Sequence, residues 1–294
     1  MSVGKVRMLM GNDELLIQRL LRTSEYVYQR FTLDELPRIL RRCPAAGMLN
    51  DSSLYGFLLV QILNPAVAWI AGFGVSWTES RAYAGILHRL LDFMTAHLAR
   101  HGFRSLYYSG NDLRNDWLRD LLLRQSFLPY QQLYAYDKFD FGIPTTGNQQ
   151  VRIRPVRLPA HLAADRQSDL PALLWIEEAC FEEVWRYDGI AFSDIAATHP
   201  YFVVAELNGQ VVGYQFNAVD GEAGYLVRIA VHPSFSGRGI GARLLAEAVH
   251  FFAQAHVSRI MLNTQEENVH AHRLYEWFGF FRQQQIGFVL RKPL

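Results

Sequence analysis

The amino-acid sequence predicts a mixed α/β (α+β) fold, built on a mixed central sheet, that occurs twice in tandem. The chain has 294 residues, and domains commonly hold about 100–200 residues, so two domains are expected. Near its midpoint, residues 141–150 contain two glycines, one proline and no apolar period, which is typical of a linker. The two halves also share the spacing of their apolar segments. We therefore expect a first domain at 1–140, a linker at 141–150 and a second domain at 151–294.

The second half alternates short apolar strands with amphipathic helices in the order β-α-α-β-β-β-α-β-α-β, which predicts a mixed sheet. Asn208-Gly209 is the dipeptide best suited to a two-residue turn with positive φ at both positions, so it predicts a hairpin. The predicted strands cover 151–156, 201–207, 211–219, 224–232, 258–263 and 283–291, and the predicted helices cover 170–181, 192–198, 239–254 and 268–278.

The first half fits the same template. Its predicted strands cover 54–63, 67–75 and 105–109, and its predicted helices cover 82–100 and 115–124. Sliding one half over the other by 153 or 154 positions superposes Arg89-Leu90-Leu91 on Arg243-Leu244-Leu245, and Asn115 on Asn268. Matching periods at a fixed offset indicate a duplicated domain.

The composition excludes several functional classes. The formal net charge is +1 and arginines are dispersed among acidic residues, so nothing favours a nucleic-acid or membrane partner. Cys43 and Cys180 are too few for a disulfide scaffold and lie in no paired-cysteine metal motif, which favours a reducing cytoplasm. The sequence has neither a signal-peptide pattern at its start nor 18 uninterrupted apolar residues, so we expect a soluble, unexported protein.

A glycine-rich loop stands between a predicted strand and a predicted amphipathic helix. Gly237, Gly239 and Gly241 lack a Cβ, so the backbone can take strained turns and bring its N–H groups close to a ligand. The first-turn amides of the helix have no internal partner and carry positive potential, which suits a pyrophosphate. The alternative is a turn that only caps the helix. The spacing fits neither the G-x-G-x-x-G pattern nor a P-loop.

The last predicted helix carries a second polar pair. Asn268 and Tyr275 are seven residues apart, two helical turns, so their side chains share one face. An amide can bond to an amide-bearing ligand, and a phenol can give a proton to a departing anion. Each residue could instead be structural, Asn268 as a helix cap and Tyr275 as a half-buried core residue.

Together these segments resemble the GCN5-related N-acetyltransferase (GNAT) superfamily. The family's Gln/Arg-x-x-Gly-x-Gly/Ala motif is similar to Ser236-Gly-Arg-Gly-Ile-Gly241. Its Asn-x-x-Ala-x-x-Leu-Tyr-x-x-x-Gly-Phe motif is similar to the segment from Asn268 to Phe280. The resemblance covers the last quarter of the chain by motif and the rest of the second half by element order.

The resemblance implies the acyl-CoA N-acyltransferase fold, acetyl-CoA as co-substrate and direct attack of a primary amine on the thioester. Tyr275 would be the catalytic acid for the coenzyme A thiolate, and no metal is implied. The implied cofactor-binding residues are Ile229, Ala230 and Val231 for the pantetheine arm, Ser236, Gly237, Arg238, Gly239, Ile240, Gly241 and Ala242 for the pyrophosphate, and Asn268 with Tyr275.

Two departures from the family pattern leave questions open. Ser236 stands where the family usually has Gln or Arg, so a side-chain contact is lost while the backbone N–H is expected to remain. Tyr225 stands where some branches carry a glutamate general base. Glu222 or a relay through water are the alternatives for that base.

The first half has lost the family's chemistry. Its loop at 76–85 has one glycine and carries Glu79, which would repel phosphate, and Leu122 replaces the tyrosine. Asn115 remains. We expect a degenerate copy that binds coenzyme A poorly or not at all, completes the fold and walls the acceptor pocket. This tandem layout resembles the mycothiol synthase-like branch, although no residue secures that substrate.

The acceptor is expected near residues 180–188. Glu182, Glu183 and Asp188 could attract a cationic amine beside Trp185 and Tyr187, or they could form a solvated acidic turn. The leading hypothesis is an N-acetyltransferase whose second domain acts on a small-molecule or peptide amine. The alternative is a non-catalytic acyl-CoA-binding sensor or partner-binding module. A homodimer is compatible with either.

Overall fold

The computed structural model describes residues 4–24, 26–50, 53–64, 66–76, 82–158 and 168–294. The chain forms two compact units, one made of Met1–Gln131 with Phe288–Leu294 and the other of Gln132–Gly287. Within the described ranges, no helix is long and apolar enough to cross a membrane.

The first unit is a mixed sheet with helices on both faces. Its strands lie in the order β1-β3-β4-β5-β6, with β5 and β6 parallel and the others antiparallel. Because both faces of β5 are covered, every residue of that strand is buried. The elements are β1 Lys5–Leu9, α1 Glu14–Thr23, β2 Val27–Gln29, α2 Leu36–Arg42, β3 Ala45–Asn50, β4 Ser53–Asn64, β5 Val67–Val75, α3 Tyr83–Arg100, β6 Ser105–Gly110 and α4 Trp117–Arg124.

The second unit repeats this plan. Its strands lie in the order β8-β9-β10-β11-β12-β7, and β11 with β12 is again the parallel pair. Helices α5 and α6 pack on one face, and α7 and α8 pack on the other. The elements are β7 Leu128–Lys138, β8 Arg152–Pro155, α5 Leu170–Cys180, α6 Gly189–Thr198, β9 Tyr201–Leu207, β10 Gln210–Asp220, β11 Ala223–Val231, α7 Ile240–Gln254, β12 Arg259–Gln265, α8 Val269–Trp277 and β13 Phe281–Pro293.

These elements confirm the predicted mixed α+β fold and its duplication. Every predicted helix and strand overlaps an observed one, and the strands predicted at 67–75 and 201–207 coincide with β5 and β9. At the β9–β10 turn, Asn208 and Gly209 have φ of 51° and 81°, the positive pair that the dipeptide predicted. The elements that the sequence did not predict are β1, α1, β2, α2, β3 and β7.

Two strands, β7 and β13, pair with strands that are distant in the sequence rather than with those of the half of the chain in which they occur. Strand β7 follows α4, yet its residues 133–138 pair with β12 of the second unit. Strand β13 follows α8, yet its residues 288–293 pair with β6 of the first unit. The compact units therefore differ from the predicted domains at two places: residues 132–150, including the expected linker, belong to the second unit, and 288–294 belong to the first. Apolar periodicity locates a strand but does not name its partner.

Candidate active site

Strands β11 and β12 diverge soon after they begin. Their parallel pairing runs from Ala223 with Arg259 to Tyr225 with Met261, and in the described structure it stops there. At this point β11 carries a bulge, because Phe216 of β10 faces Arg228 while its neighbour Asn217 faces Leu226. The extra residue bends the strand and increases its twist. A wedge-shaped gap therefore opens between the two strands beyond Tyr225.

The backbone of β11 that borders this gap can be assigned from the pairing pattern. His232 N–H donates to the Val212 carbonyl at 2.9 Å, so by antiparallel alternation Ala230 also directs its backbone groups to β10. Ile229 and Val231 then direct theirs to the gap. Of the three residues predicted there, Ala230 is thus turned away. The Val231 carbonyl accepts a hydrogen bond from Cys180 Sγ at 3.3 Å.

The glycine loop has the strained backbone that its sequence predicted. Gly237 and Gly239 have φ of 73° and 72°, in the left-handed region that favours glycine, and Gly239 is the N-cap of α7. No side chain caps this helix, so the first-turn amides of Ile240, Gly241 and Ala242 have neither an intrahelical partner nor a side-chain one. Residues 236–239 are exposed. The loop therefore offers a set of backbone donors to solvent.

Ser236 contributes less than its sequence suggested. Its N–H, expected to be free for a ligand, donates to the Pro233 carbonyl at 3.0 Å. The exposed hydroxyl remains. Arg238 is exposed, and its guanidinium carbon lies over the Phe235 ring, 5.2 Å from the ring centroid. This contact keeps a positive charge beside the glycine loop.

Helix α8 lies against the start of α7. A Cβ on Gly241 would lie 3.4 Å from Leu274 Cδ2. Asn268 is the N-cap of α8, and its Oδ1 accepts from the Ala271 N–H at 3.2 Å. The capping role that the sequence left open is therefore present, and the Asn268 NH₂ group is the part of the side chain that remains for a ligand.

Tyr275 is buried on the inner side of α8, with 5% of its surface exposed. Its ring packs on those of Tyr136 and Phe280, at centroid distances of 5.9 and 6.0 Å. Burial raises the pKa of Tyr275 well above its ordinary value, so the hydroxyl is protonated at neutral pH. Among the described residues this hydroxyl has no hydrogen-bond partner. It is a proton donor held in an apolar setting.

Strand β7 brings to this site a residue that the sequence reasoning missed. Tyr136 is fully buried, and its hydroxyl lies 2.8 Å from His272 Nδ1 on α8. Its ring is also the neighbour of Tyr275 described above. The alternation of Tyr134, Tyr136 and Lys138 is a strand signal that could have located β7. It could not have placed the strand in the second unit.

On the opposite face of the sheet, a buried ion pair ties α5 to β10 and β11. Glu177 is 1% exposed and accepts from Arg228 Nη1 at 2.8 Å, from the Tyr187 N–H at 2.7 Å and from the Tyr214 hydroxyl. Arg228 is sandwiched between the rings of Phe181 and Tyr187, at 4.1 and 3.9 Å. Sequence reasoning had no signal for this network, because its members are far apart in the chain.

The same network decides the conformation of the 180–188 segment. Asp188 caps α6 by accepting from the Ala191 N–H at 2.8 Å. The Trp185 carbonyl accepts from Arg228 Nη2 at 2.8 Å. The Tyr187 ring contacts the Arg228 guanidinium on its face and packs against the Phe192 ring. Glu182 and Glu183 are exposed. Of the three acidic residues expected to attract an amine, one therefore has a structural role.

The candidates for a catalytic base lie in different places. Tyr225 is at the point where the strands part, opposite Met261. Glu222 is in the turn that joins β10 to β11, where its carbonyl accepts from the Ser258 N–H, at the opposite end of β11 from the glycine loop. This position argues against Glu222. Asp137 of β7 is paired with Met261 and 5% exposed, and burial raises its pKa.

In the described part of the first unit, the residues that correspond to Asn268 and Tyr275 have other surroundings. The loop with Glu79 lies outside the described residues. Leu122 is fully buried in the core, and Asn115 Nδ2 donates to Asp112 Oδ2 at 2.8 Å. Helix α4 is capped instead by Asp116, which accepts from two backbone amides. Helix α4 reads WLRDLLLR and contains no tyrosine.

Comparisons with known proteins show what the second unit is similar to. Residues 170–280 match the model of the acetyltransferase (GNAT) family. An uncharacterized N-acetyltransferase of Methanocaldococcus jannaschii is 36% identical over 80 residues, which is 27% of this chain and about half (51%) of that protein. An acetyltransferase of Pectobacterium atrosepticum is 30% identical over 113 residues, which is 38% of this chain and 80% of that protein.

The fold of the whole chain is also found among solved structures. A tandem GNAT protein from the clavulanic acid biosynthesis pathway superposes with a TM-score of 0.66 at 12% identity, covering 98% of each chain. At that identity the likeness concerns the fold, and it extends over both units. With the sequence relatives above, it leads to one conclusion: the chain is a tandem-domain member of the GNAT family of N-acetyltransferases.

Proposed function

We propose that the second unit binds acetyl-CoA and transfers its acetyl group to a primary amine. The observation that carries this proposal is the exposed loop in which Gly237 and Gly239 take left-handed conformations immediately before an uncapped helix N-terminus. A pyrophosphate would accept from the first-turn amides of α7, where the helix dipole adds positive potential.

The pantetheine arm would lie in the gap between β11 and β12. Ile229 and Val231 direct backbone groups into that gap, and pantetheine carries two amides that can pair with a strand edge. Helices α7 and α8, which touch at Gly241 and Leu274, lie on one side of the sheet that contains this gap. The Asn268 NH₂ group is at the start of α8, on the same side. The thioester would then lie near the base of the gap, between Tyr225 and the inner face of α8.

In the chemical step, the amine nitrogen attacks the thioester carbon and forms the C–N bond. The C–S bond then breaks, the nitrogen loses its proton to water, and the sulfur leaves as a thiolate. Tyr275, whose hydroxyl is protonated at neutral pH, donates its proton to the thiolate. Solvent restores the tyrosine. The products are an N-acetyl amide and coenzyme A, with no acyl-enzyme.

Coenzyme A binding is tested by Gly239→Glu. The added carboxylate would repel the pyrophosphate and occupy a left-handed position, so we expect calorimetric titration with acetyl-CoA to give no detectable binding. The control is Gly221→Glu, because Gly221 also has a positive φ of 55° and open space around it, in the β10–β11 turn. Equal affinity in the two variants would refute the loop assignment.

The chemistry is tested by Tyr275→Phe with a panel of primary amines. Loss of a general acid lowers turnover by about 10²–10⁴-fold, and acetyl-CoA affinity should stay unchanged. Tyr201→Phe is the control, because burial also raises the pKa of Tyr201, to about 12, while its ring stacks on Phe251 of α7. Tight acetyl-CoA binding by the unaltered protein without thiol release from any amine would instead favour an acyl-CoA sensor.

A further inference from the structure

The segment 145–150, which the sequence presents as a linker, packs against the glycine loop. Asn148 makes two hydrogen bonds to it: its backbone N–H donates to the Gly239 carbonyl at 3.1 Å, and its Nδ2 donates to the Arg238 carbonyl at 2.9 Å. Both partners belong to the second unit. Consecutive carbonyls of the loop are thus held by one residue.

Gly147 allows this close approach. Its φ is +70°, and a Cβ at this position would lie 2.6 Å from Arg243 Cα and 2.8 Å from the Gly239 oxygen, with the Arg243 nitrogen nearer still. Any other residue would collide with backbone atoms that cannot move without moving α7. The glycine is therefore required by the contact as well as by its own conformation.

The segment is itself fixed, so it can hold the loop in place. The Gly147 N–H donates to Thr145 Oγ1 at 3.1 Å, and the Gln150 N–H donates to Asn148 Oδ1 at 2.9 Å. It continues into Val151, which is 3% exposed in the core beneath α7. The side-chain amide of Asn148 therefore donates through Nδ2 to Arg238 and accepts through Oδ1 from Gln150, and these two bonds fix its rotamer.

The planarity of the peptide bond converts these contacts into an effect on the donors. In a trans peptide the C=O and the following N–H point in opposite directions. Holding the Arg238 and Gly239 carbonyls toward Asn148 therefore directs the N–H groups of Gly239 and Ile240 away from the segment, to the exposed side of the loop. The Gly239 carbonyl also accepts from the Arg243 N–H at 3.0 Å within α7, so the loss of Asn148 would act mainly on the Arg238–Gly239 peptide plane, which the neighbouring glycines would leave free to rotate.

We infer that the segment 145–150 is a positioning element of the pyrophosphate site, acting through Asn148 and Gly147. It preorganises the loop amides, so its contribution appears as affinity for the phosphate-bearing donor. The inference rests on the proposed function of this site. It also assigns a role to residues that composition alone would class as a passive connection between domains.

The test compares acetyl-CoA with S-acetylpantetheine, which has the same thioester and arm but no pyrophosphate. For Asn148→Ala we expect KM and Kd for acetyl-CoA to rise about two- to twelvefold, the equivalent of the one side-chain hydrogen bond lost to the loop, because the backbone N–H still donates to Gly239. The kcat with acetyl-CoA and the turnover of S-acetylpantetheine should stay within about twofold of the unaltered protein, since the pantetheine site is untouched. Gln254→Ala is the control, because this exposed side chain lies at the C-terminal end of α7, the opposite end of the helix from the loop.

Several results would overturn the inference. It is wrong if Asn148→Ala binds acetyl-CoA as tightly as Gln254→Ala does, or if the S-acetylpantetheine turnover falls in parallel, which would indicate a general structural role. Gly147→Ala provides an independent measurement, with a larger loss of acetyl-CoA affinity expected. Failure of the unaltered protein to bind acetyl-CoA would refute the proposed function and the inference together, whereas normal binding with an inert Asn148 refutes the inference alone.

Discussion

The buried ion pair between Glu177 and Arg228 gives a quantitative prediction for the stability of the second unit. Glu177→Gln keeps the shape of the side chain and an acceptor for the Tyr187 N–H, but it removes the negative charge. The Arg228 side chain, 10% exposed, would then be a buried cation without a counter-charge. Breaking a buried pair from one side costs about 3–5 kcal/mol.

The structure also predicts how this cost can be recovered. Replacing the pair as a whole, in Glu177→Gln with Arg228→Met, leaves no buried charge, and such replacements are often neutral. We therefore expect the double variant to be more stable than Glu177→Gln alone. In a domain of 150–250 residues, each kcal/mol corresponds to about 2–4 °C, so the single variant should melt about 6–20 °C lower.

The assay is urea unfolding followed by far-UV circular dichroism, with the two single variants and the double variant measured as a cycle. Contacts of Arg228 with the rings of Phe181 and Tyr187 affect the free energy of unfolding in the single and double variants alike, so they cancel in part when the cycle is evaluated. The reasoning is refuted if Glu177→Gln costs less than about 1 kcal/mol, the range of exposed pairs. It is equally refuted if the double variant loses the sum of the two single effects.

Two further predictions concern titration. Burial, with Glu177 next to it, raises the pKa of Cys180 to about 11, so this thiol should react with iodoacetamide slowly at pH 7 and faster as the pH approaches 11; rapid labelling at pH 7 would contradict this. Burial raises the pKa of Asp137, so its contribution to stability is present below the ordinary carboxyl pKa and is lost as pH rises through the raised value. Asp137→Asn should therefore increase the free energy of unfolding at pH 7 and have no effect near pH 3 in urea titrations; a destabilising effect at pH 7 would be contrary to it.

The backbone conformation of the glycine loop could be predicted from the sequence because it depends on neighbouring residues of the chain. A glycine loop and the helix it starts are adjacent in the chain, and their function depends on backbone groups that any residue carries. The left-handed φ of Gly237 and Gly239 follows from the residue type itself. Local sequence did not indicate which amides are already occupied. The Ser236 N–H is occupied by a turn, in which it donates to the Pro233 carbonyl. The backbone groups of Ala230 are occupied by pairing with β10.

The exchanged strands could not be predicted, for a related reason. Tyr134 and Tyr136 alternate as a strand should, but the partner of β7 lies more than a hundred residues later, in β12. Sequence proximity favours the pairing of neighbouring strands, and here the compact units divide at other residues than that rule suggests. The consequence reaches the site, because the neighbour of Tyr275 is contributed by a strand that precedes the expected linker.

The role of segment 180–188 is the least predictable part, because two of its polar and aromatic residues, Asp188 and Tyr187, are taken into contacts within the protein. From sequence, 180–188 is an acidic stretch with two aromatic residues, which suits a cationic amine. In the structure Asp188 caps a helix, Tyr187 stacks on Arg228, and Glu177, outside the stretch, holds both strands and loop. A carboxylate that is already satisfied by protein donors attracts a substrate weakly, since binding would have to replace those bonds. Selectivity for the amine is therefore better sought at Tyr225, where the strands part.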